Sequence, residues 1–369
     1  MVSNTKRIIV HIGAHKTGTT SLQYFCTHNR DTLLERGIFY PDTSIGESNL
    51  GPYGRNRFVN GYLLTNKYYN YERLANVLAE YQSNPQITTL FFSEENLFYN
   101  SEHNHQLNKA ALQQLQQHNV HVVVTLRRAI EYLCGIWQEF VRFKCSTDLN
   151  AFLKVRKYTL DLQFVDGLQD TFGKDKTHLL IYNPEENDEY NSIDQMMQFL
   201  GLHDHGLSQP DKHRLNVGLN RALLDNMCML NKYVPDAPFQ KYREYLPVTG
   251  NHSVLNSLSD HMIKKICDRY YPLESELAQK YLGQEYFYTR KYPKIYKQER
   301  ASYSPNKSLL AKRVRRLVVR EAFIDTYFKR RNSINVCIAH MYASLSGKRA
   351  IKLRGFVKAL RNRIKARGH

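Results

Sequence analysis

Residues 8 to 25 narrow the folding choices of this chain more than any other stretch. Ile8-Ile9-Val10 is short, apolar and β-branched, and it runs through His11-Ile12 to Gly13. That is the composition of a strand buried on both faces. Gly13-Ala14-His15-Lys16-Thr17-Gly18-Thr19-Thr20-Ser21 follows, and then Leu22, Tyr24 and Phe25 in a helix-like run. A strand, a glycine-bracketed loop rich in hydroxyls and a helix N-terminus together make an anion site. The glycines let the backbone curl with its N–H groups inward, and the helix dipole adds partial positive charge. Lys16 supplies a full charge, and Thr17, Thr19 and Thr20 supply hydroxyl donors. The plain alternative is an ordinary strand–turn–helix, but a turn requires neither the lysine nor so many hydroxyls.

The spacing restricts the anion. Gly13 and Gly18 are separated as in a Walker A loop, G-x-x-x-x-G-K-[ST], yet Gly18 is followed by Thr19 and the lysine comes earlier, at Lys16. The geometry that puts Lys on the β/γ-phosphates and the next hydroxyl on Mg²⁺ is therefore not met. Lysine ahead of the second glycine, K-T-G-T-T, resembles the 5′-phosphosulfate-binding loop of sulfotransferases. The resemblance implies 3′-phosphoadenosine 5′-phosphosulfate (PAPS) as cofactor, bound without a metal. It also implies a second motif, an Arg closing a later strand with a Ser eight positions on. Val122-Val123-Val124-Thr125-Leu126 reads as a strand ending in Arg127-Arg128, and a helix-like run follows from Ala129 to Phe140. Arg127 takes the Arg position, where the family binds the 3′-phosphate. Gly135 stands at the Ser position, a departure. A lost charge-assisted hydrogen bond is worth about 1.5–3 kcal/mol, unless Thr125, a backbone N–H or Arg128 supplies it.

A third element completes the expected site. Ile87-Thr88-Thr89-Leu90-Phe91-Phe92 reads as a strand ending in Ser93-Glu94-Glu95. A carboxylate at such a strand end is a candidate general base; an acid opening the next helix is the alternative. The segment resembles the family's "S-S-E", which favours Glu94 over Glu95. The resemblance assigns Lys16 to the bridging oxygen, and Thr17, Gly18, Thr19, Thr20 and Ser21 to the phosphosulfate. His15 is placed to contact a bound sulfate. The likeness runs from about residue 6 to 287, through a strand at Thr177–Tyr182, Phe199-Leu200-Gly201-Leu202 and a helical 258–282.

Strands alternating with helical runs predict an α/β fold, a P-loop-type doubly wound parallel sheet flanked by helices. Gly37 to Pro41 reads as a turn, and 42–70 as a long loop near the site mouth. Helices are expected over 71–82, 105–118, 152–172, 192–200, 221–233 and 258–282. The α/β domain spans 1–299, followed by a basic helical C-terminal extension, 300–369. Within 301–369, 18 Lys and Arg face only Glu321 and Asp325, so almost all of the net charge of +18 lies there. Leu353, Phe356, Val357, Leu360 and Ile364 share one helical face, ringed by Lys352, Lys358, Arg361 and Arg363. That is the profile of a helix on an anionic membrane surface or against an acidic glycan; a basic face packed back on its own domain is the alternative. No nucleic-acid-binding fold accompanies it.

No signal-type segment or run of eighteen apolar residues occurs, so the expected location is cytoplasmic, peripheral at the inner membrane face if the extension docks. Six scattered cysteines without a C-x-x-C pair fit reduced thiols. His103/His105 and His203/His205 lack a third ligand at metal-site spacing, so no metal is expected. The function expected is a transferase moving a sulfuryl group from PAPS to a hydroxyl or amine of a glycan, glycolipid or small-molecule acceptor. Two alternatives stand beside it: a P-loop nucleotide kinase or NTPase, and a non-catalytic membrane- or polyanion-binding protein in which the basic extension does the work.

Overall fold

The computed structural model describes residues 6–43, 60–97, 108–182, 192–208, 221–233 and 254–293, apart from gaps at 15, 67, 96, 143–144, 157–161, 203–205 and 289. His15, both histidine pairs, most of the 42–70 loop and the whole 300–369 extension thus lie outside the described residues.

Five strands form one all-parallel sheet, flanked by helices. They are β1 (Arg7–Gly13), β2 (Ile38–Phe39), β3 (Thr89–Glu94), β4 (Val120–Arg127) and β5 (Thr177–Tyr182), in the order β2-β3-β1-β4-β5. The centre of the sheet is the most apolar part of the sequence, as a strand covered on both faces requires. Ile8, Ile9, Val10 and Ile12 of β1 are all buried, as are Val122, Val123 and Val124 of β4. On one face, Ile9, Phe91 and Val123 pack with Leu22, Phe25 and Cys26 of α1 (Thr19–His28) and Leu33 of α2 (Arg30–Glu35). Ile193, Met196 and Met197 of α8 (Ser192–Phe199) complete that layer.

The topology fixes where a ligand can gather. From β1 the chain passes through α1 and α2 to β2 on one side; from β4 it passes through α5 (Ala129–Arg142), α6 (Leu149–Val155) and α7 (Leu162–Phe172) to β5 on the other. Connections leaving the neighbouring carboxyl ends of β1 and β4 therefore diverge, and divergence opens a crevice there.

The edge of β3 is finished in an unexpected way. Among the described residues, the two residues of β2 pair with Thr89 and Leu90 and no others. Beyond them Asn60 stands in for a strand: its amide donates to the Phe91 carbonyl at 2.7 Å and accepts from the Ser93 N–H at 2.9 Å. A 3₁₀ turn, Gly61–Leu64, follows, and α3 (Tyr71–Ser83) leads on to β3.

Three boundaries differ from the sequence reading. Gly37–Pro41 is not only a turn, since Ile38 and Phe39 form the edge strand, too short to show a period. The helix expected over 105–118 is described as α4 (Lys109–Leu115), begun by Asn108, whose side chain accepts from the N–H groups of Ala110 and Ala111. The helix expected over 152–172 is two, α6 and α7. A stripe continued from Phe152 would bury Val155, which instead is 77 % exposed where α6 ends. The last described helix, α10 (Asp260–Leu282), matches expectation: Ser259 caps it, Gly283 closes it, and Pro272 lies inside it. Among the described residues, no helix is long and apolar enough to cross a membrane.

The chain divides into two compact units. The first holds residues 1–137, 153–218 and 258–296, and with them the whole sheet. The second includes 138–152 and 219–257. There Asn231 of α9 (Arg221–Tyr233) donates to the carbonyls of Val141 (2.7 Å) and Cys145 (2.9 Å), and Arg221 pairs with Asp225 at 2.8 Å.

Candidate functional site

The loop after β1 extends the sheet before it leaves it. The Ala14 N–H donates to the Thr125 carbonyl at 2.9 Å, so the β1–β4 ladder continues one residue past the strand. The chain then turns tightly. Thr17 bonds back to the Ala14 carbonyl through its hydroxyl at 2.6 Å and its N–H at 3.3 Å. Lys16 has φ 70°, the one left-handed conformation of a non-glycine among the described residues. Gly18, at φ 82°, holds the position before α1, and α1 begins at Thr19. The first-turn N–H groups of α1 thus point back toward the loop, as in an anion cradle.

The hydroxyls divide into two sets. Thr17 and Thr19 are buried, their oxygens 3.3 Å apart. A Cβ on Gly13 would stand 2.1 Å from Thr19 Oγ1 and 3.1 Å from Thr17 Oγ1, so both hydroxyls lie upon Gly13. These two build the loop from within. Thr20 and Ser21, half-buried in the first turn of α1, are the hydroxyls nearer solvent. A Cβ on Gly18 would stand 2.3 Å from Ser192 Oγ and 3.6 Å from Tyr182 Cε2, so the start of α8 and the end of β5 close around the loop.

Beneath the loop runs a buried polar row across three strands. His11 binds Ser93 Oγ through Nδ1 and Thr125 Oγ1 through Nε2, each at 2.9 Å. Burial pushes its pKa down to about 3, so the ring is neutral and donates to one hydroxyl while accepting from the other. His11 is thereby a packing residue at the strand end.

The second motif meets the first directly. Arg127 Nη1 donates to the Lys16 carbonyl at 2.6 Å, while Nε donates to Glu131 Oε2 at 3.1 Å. Its guanidinium lies 5.1 Å from the centroid of the Tyr182 ring. Burial alone would lower the Arg127 pKa, but Glu131, Tyr182 and Tyr288 outweigh it and hold the pKa above its ordinary value. Gly135 also reaches the loop: a Cβ there would stand 2.7 Å from Lys16 Cγ and 3.0 Å from Lys16 Cβ. Lys16 therefore forms one cluster with Arg127 and Gly135, which follow it by 111 and 119 positions in the chain.

Of the three substitute donors considered for the missing serine, the two side chains are engaged elsewhere. Thr125 bonds His11. Arg128 is 2 % exposed, donates to the Arg290 carbonyl at 3.1 Å, lies 3.6 Å from Glu131 and packs over the Tyr288 ring. Behind it, Glu274 of α10 accepts from the Ala129 N–H at 2.7 Å and the Tyr286 hydroxyl at 2.6 Å, fixing the start of α5. Burial raises the Glu274 carboxyl above its ordinary value, against the pull of those two bonds. Arg128 is a core residue that anchors α5; Arg127 alone turns to the loop.

Glu94 stands apart from this cluster. It is in register with Ile12, on the opposite face of the sheet from His11 and Ser93. It is 1 % exposed, beneath Gly61, where a Cβ would meet Glu94 Cβ at 2.5 Å. Its charge is felt by Tyr62 and Tyr40, whose hydroxyls burial, first of all, pushes upward in pKa. Glu95 is half-buried.

The sequence reading missed Glu131, Asn60, Tyr182 and Ser192. Glu131 had a signal, since it falls four and three positions after two arginines at a helix start. The other three touch the site only through the fold. Among the described residues, no group of three or more His, Cys, Asp or Glu is gathered to hold a metal. No protein-family model matches the chain, and neither a curated protein nor a solved structure matches it.

Proposed function

We propose that this chain is a PAPS-dependent sulfotransferase built on a P-loop-type sheet, acting on a hydroxyl or amine of a glycan or glycolipid. The observation that carries this reading is the bond from Arg127 to the Lys16 carbonyl at 2.6 Å. It joins the two motifs that the resemblance assigns to the two phosphate ends of one nucleotide, in the crevice where the connections leaving β1 and β4 diverge. A loop with glycine on both sides, a helix N-terminus and two cations fits a polyanionic nucleotide without a metal.

Sulfuryl transfer, like phosphoryl transfer, asks for positioning and charge stabilisation more than covalent work. The first-turn amides of α1, with Thr20 and Ser21, hold the phosphosulfate. Lys16 neutralises the bridging oxygen as the S–O bond to the phosphate breaks and an S–O or S–N bond to the acceptor hydroxyl or amine forms. Arg127 holds the 3′-phosphate. Glu94 takes the acceptor proton, which requires the Gly61–Leu64 turn to lift and admit the acceptor. The basic extension, in this reading, brings the enzyme to an anionic acceptor or membrane surface.

Calorimetric titration with 3′-phosphoadenosine 5′-phosphate (PAP) and with ATP, each in EDTA and in Mg²⁺, tests the site. Metal-independent PAP binding in the micromolar range, with no preference for ATP, is the expected result. Mg²⁺-dependent ATP binding would replace the sulfotransferase with a kinase or NTPase.

A further inference from the structure

Glycine is a poor choice inside a helix, because it loses more backbone freedom than any other residue and packs nothing. Gly135 nevertheless lies in the second turn of α5, buried among Leu133, Cys134, Ile136 and Trp137. No unusual backbone explains it, since its φ is not among the positive ones. Space explains it. An added Cβ would meet three successive carbons of one side chain: Lys16 Cγ at 2.7 Å, Cβ at 3.0 Å and Cδ at 3.6 Å. The stem of Lys16 lies along α5 in the room that a missing side chain leaves.

Lys16 carries a complementary irregularity. Its left-handed φ of 70° is a conformation that a residue with a Cβ adopts only when its surroundings impose it. The Arg127 guanidinium holds its carbonyl, and Gly135 receives its stem. Two locally unfavourable choices, far apart in sequence, thus meet at one contact. Either alone would be a defect; together they fix the direction in which the lysine leaves the loop.

We infer that Gly135 is a positioning residue, the seat on which the Lys16 side chain is laid, rather than the vacated place of a phosphate-binding serine. For function this rests on the reading that Lys16 is the cation of the nucleotide site; the contact itself does not. The nearest atoms are Cβ and Cγ, the least mobile part of the lysine stem. Relief of the clash must therefore turn the lysine about χ1 or shift the loop or α5, and each carries the ammonium with it.

A double-mutant cycle in the full chain tests the seat. Gly135→Ala is made alone and together with Lys16→Gly, which removes the stem and suits a left-handed residue. By thermal unfolding without nucleotide, Gly135→Ala is expected to lower the midpoint by about 2–4 °C, and to raise it or leave it unchanged in the Lys16→Gly background. Should Gly135→Ala fail to fold while the double variant folds, the coupling is equally shown. An equal loss in both backgrounds, or a double variant that also fails to fold, overturns the seat.

Binding of PAP, followed by calorimetry in EDTA, gives the second readout. Gly135→Ala and Gly135→Ser are both expected to weaken it by about tenfold, with no further loss once Lys16 is glycine. Tighter binding by Gly135→Ser would overturn the inference and restore the empty serine position. If the wild-type chain binds no PAP while the melting cycle still reverses sign, the nucleotide reading fails and the seat stands.

Discussion

The two ends of the sheet hold similar residues under opposite regimes. At the amino ends of β1, β4 and β5 lie Arg7, His121 and His178. The two imidazoles stack at 5.4 Å with 18° between their planes and share a contact of 3.1 Å between Nδ1 and Nε2. Phe199 packs edge-on against His178, and Arg7 donates to the Leu200 carbonyl at 3.3 Å. Burial, then the neighbouring positive groups, keeps both histidines below their ordinary pKa. Arg7, His121, His178 and Phe199 all lie outside the left-handed region, and the positive φ values nearby belong to glycines, Gly37, Gly173 and Gly201. At the carboxyl ends of β1 and β4, Lys16 is left-handed, Gly18 precedes α1, Gly135 interrupts the packing of α5, and Arg127 leans on a backbone carbonyl. Stacked rings beside an arginine settle one end; a left-handed lysine and the arginine that binds its carbonyl occupy the other. Among the described residues, the one left-handed residue other than glycine lies at the end proposed to hold the site.

That contrast breaks most sharply at Lys16. Lys16→Ala is expected to cut sulfuryl transfer by about 10²–10³-fold while leaving the thermal midpoint near that of the wild type. Near-native turnover, followed as PAP release, would show that the carboxyl end is not the working one.

The next effect is on stability and depends on acid. His11, His121 and His178 all have folded pKa values below the unfolded value of about 6.5. The unfolded chain therefore binds more protons as the pH falls through 6.5, and their contribution, complete above that pH, is progressively lost below it. With His11 at about 3, that residue alone should cost about 2 kcal/mol between pH 6.5 and 5. Urea unfolding at the two pH values measures it, and a flat profile would mean that the buried row is hydrated.

Gly18→Ala comes third. Its φ of 82° and the approach of Ser192 oppose any side chain, and a loss of about 1–2 kcal/mol in unfolding free energy is expected, together with weaker PAP binding. The smallest effect belongs to the amino end. His178→Gln keeps a hydrogen-bonding partner for His121 and should change stability at pH 7.5 by less than about 1 kcal/mol, while flattening the slope below pH 6.5. Loss of PAP binding in this variant would join the two ends that the contrast separates.

What the sequence disclosed, and what it withheld, follows the same division. Ile8-Ile9-Val10 and Val122-Val123-Val124 announced central parallel strands because a strand covered on both faces must be apolar throughout. The loop was legible because its glycines, lysine and threonines lie within nine consecutive residues. Ile38-Phe39 was missed because two residues show no period. The inward turn of Thr17 and Thr19 onto Gly13 was hidden because a hydroxyl that binds an anion and one that braces a loop are written with the same letter. Arg127 and Arg128 posed the same difficulty: two neighbours of identical chemistry, one at the crevice and one sealed under Tyr288 with Glu131 and Glu274 nearby. Only α10, far along the chain, decides between them. Gly135 was read against a family pattern as something lost, because its partner Lys16 lies 119 positions earlier.

The carboxamide of Asn60 has a consequence beyond the sheet it completes. An open pair of backbone groups beside a run such as Leu90-Phe91-Phe92 is a template for another chain, and extended edges of this kind recruit their own copies. Here one side chain occupies both groups, at Phe91 and at Ser93. A single carboxamide thereby withholds these two groups from a second copy of the chain, one residue before the turn that covers Glu94.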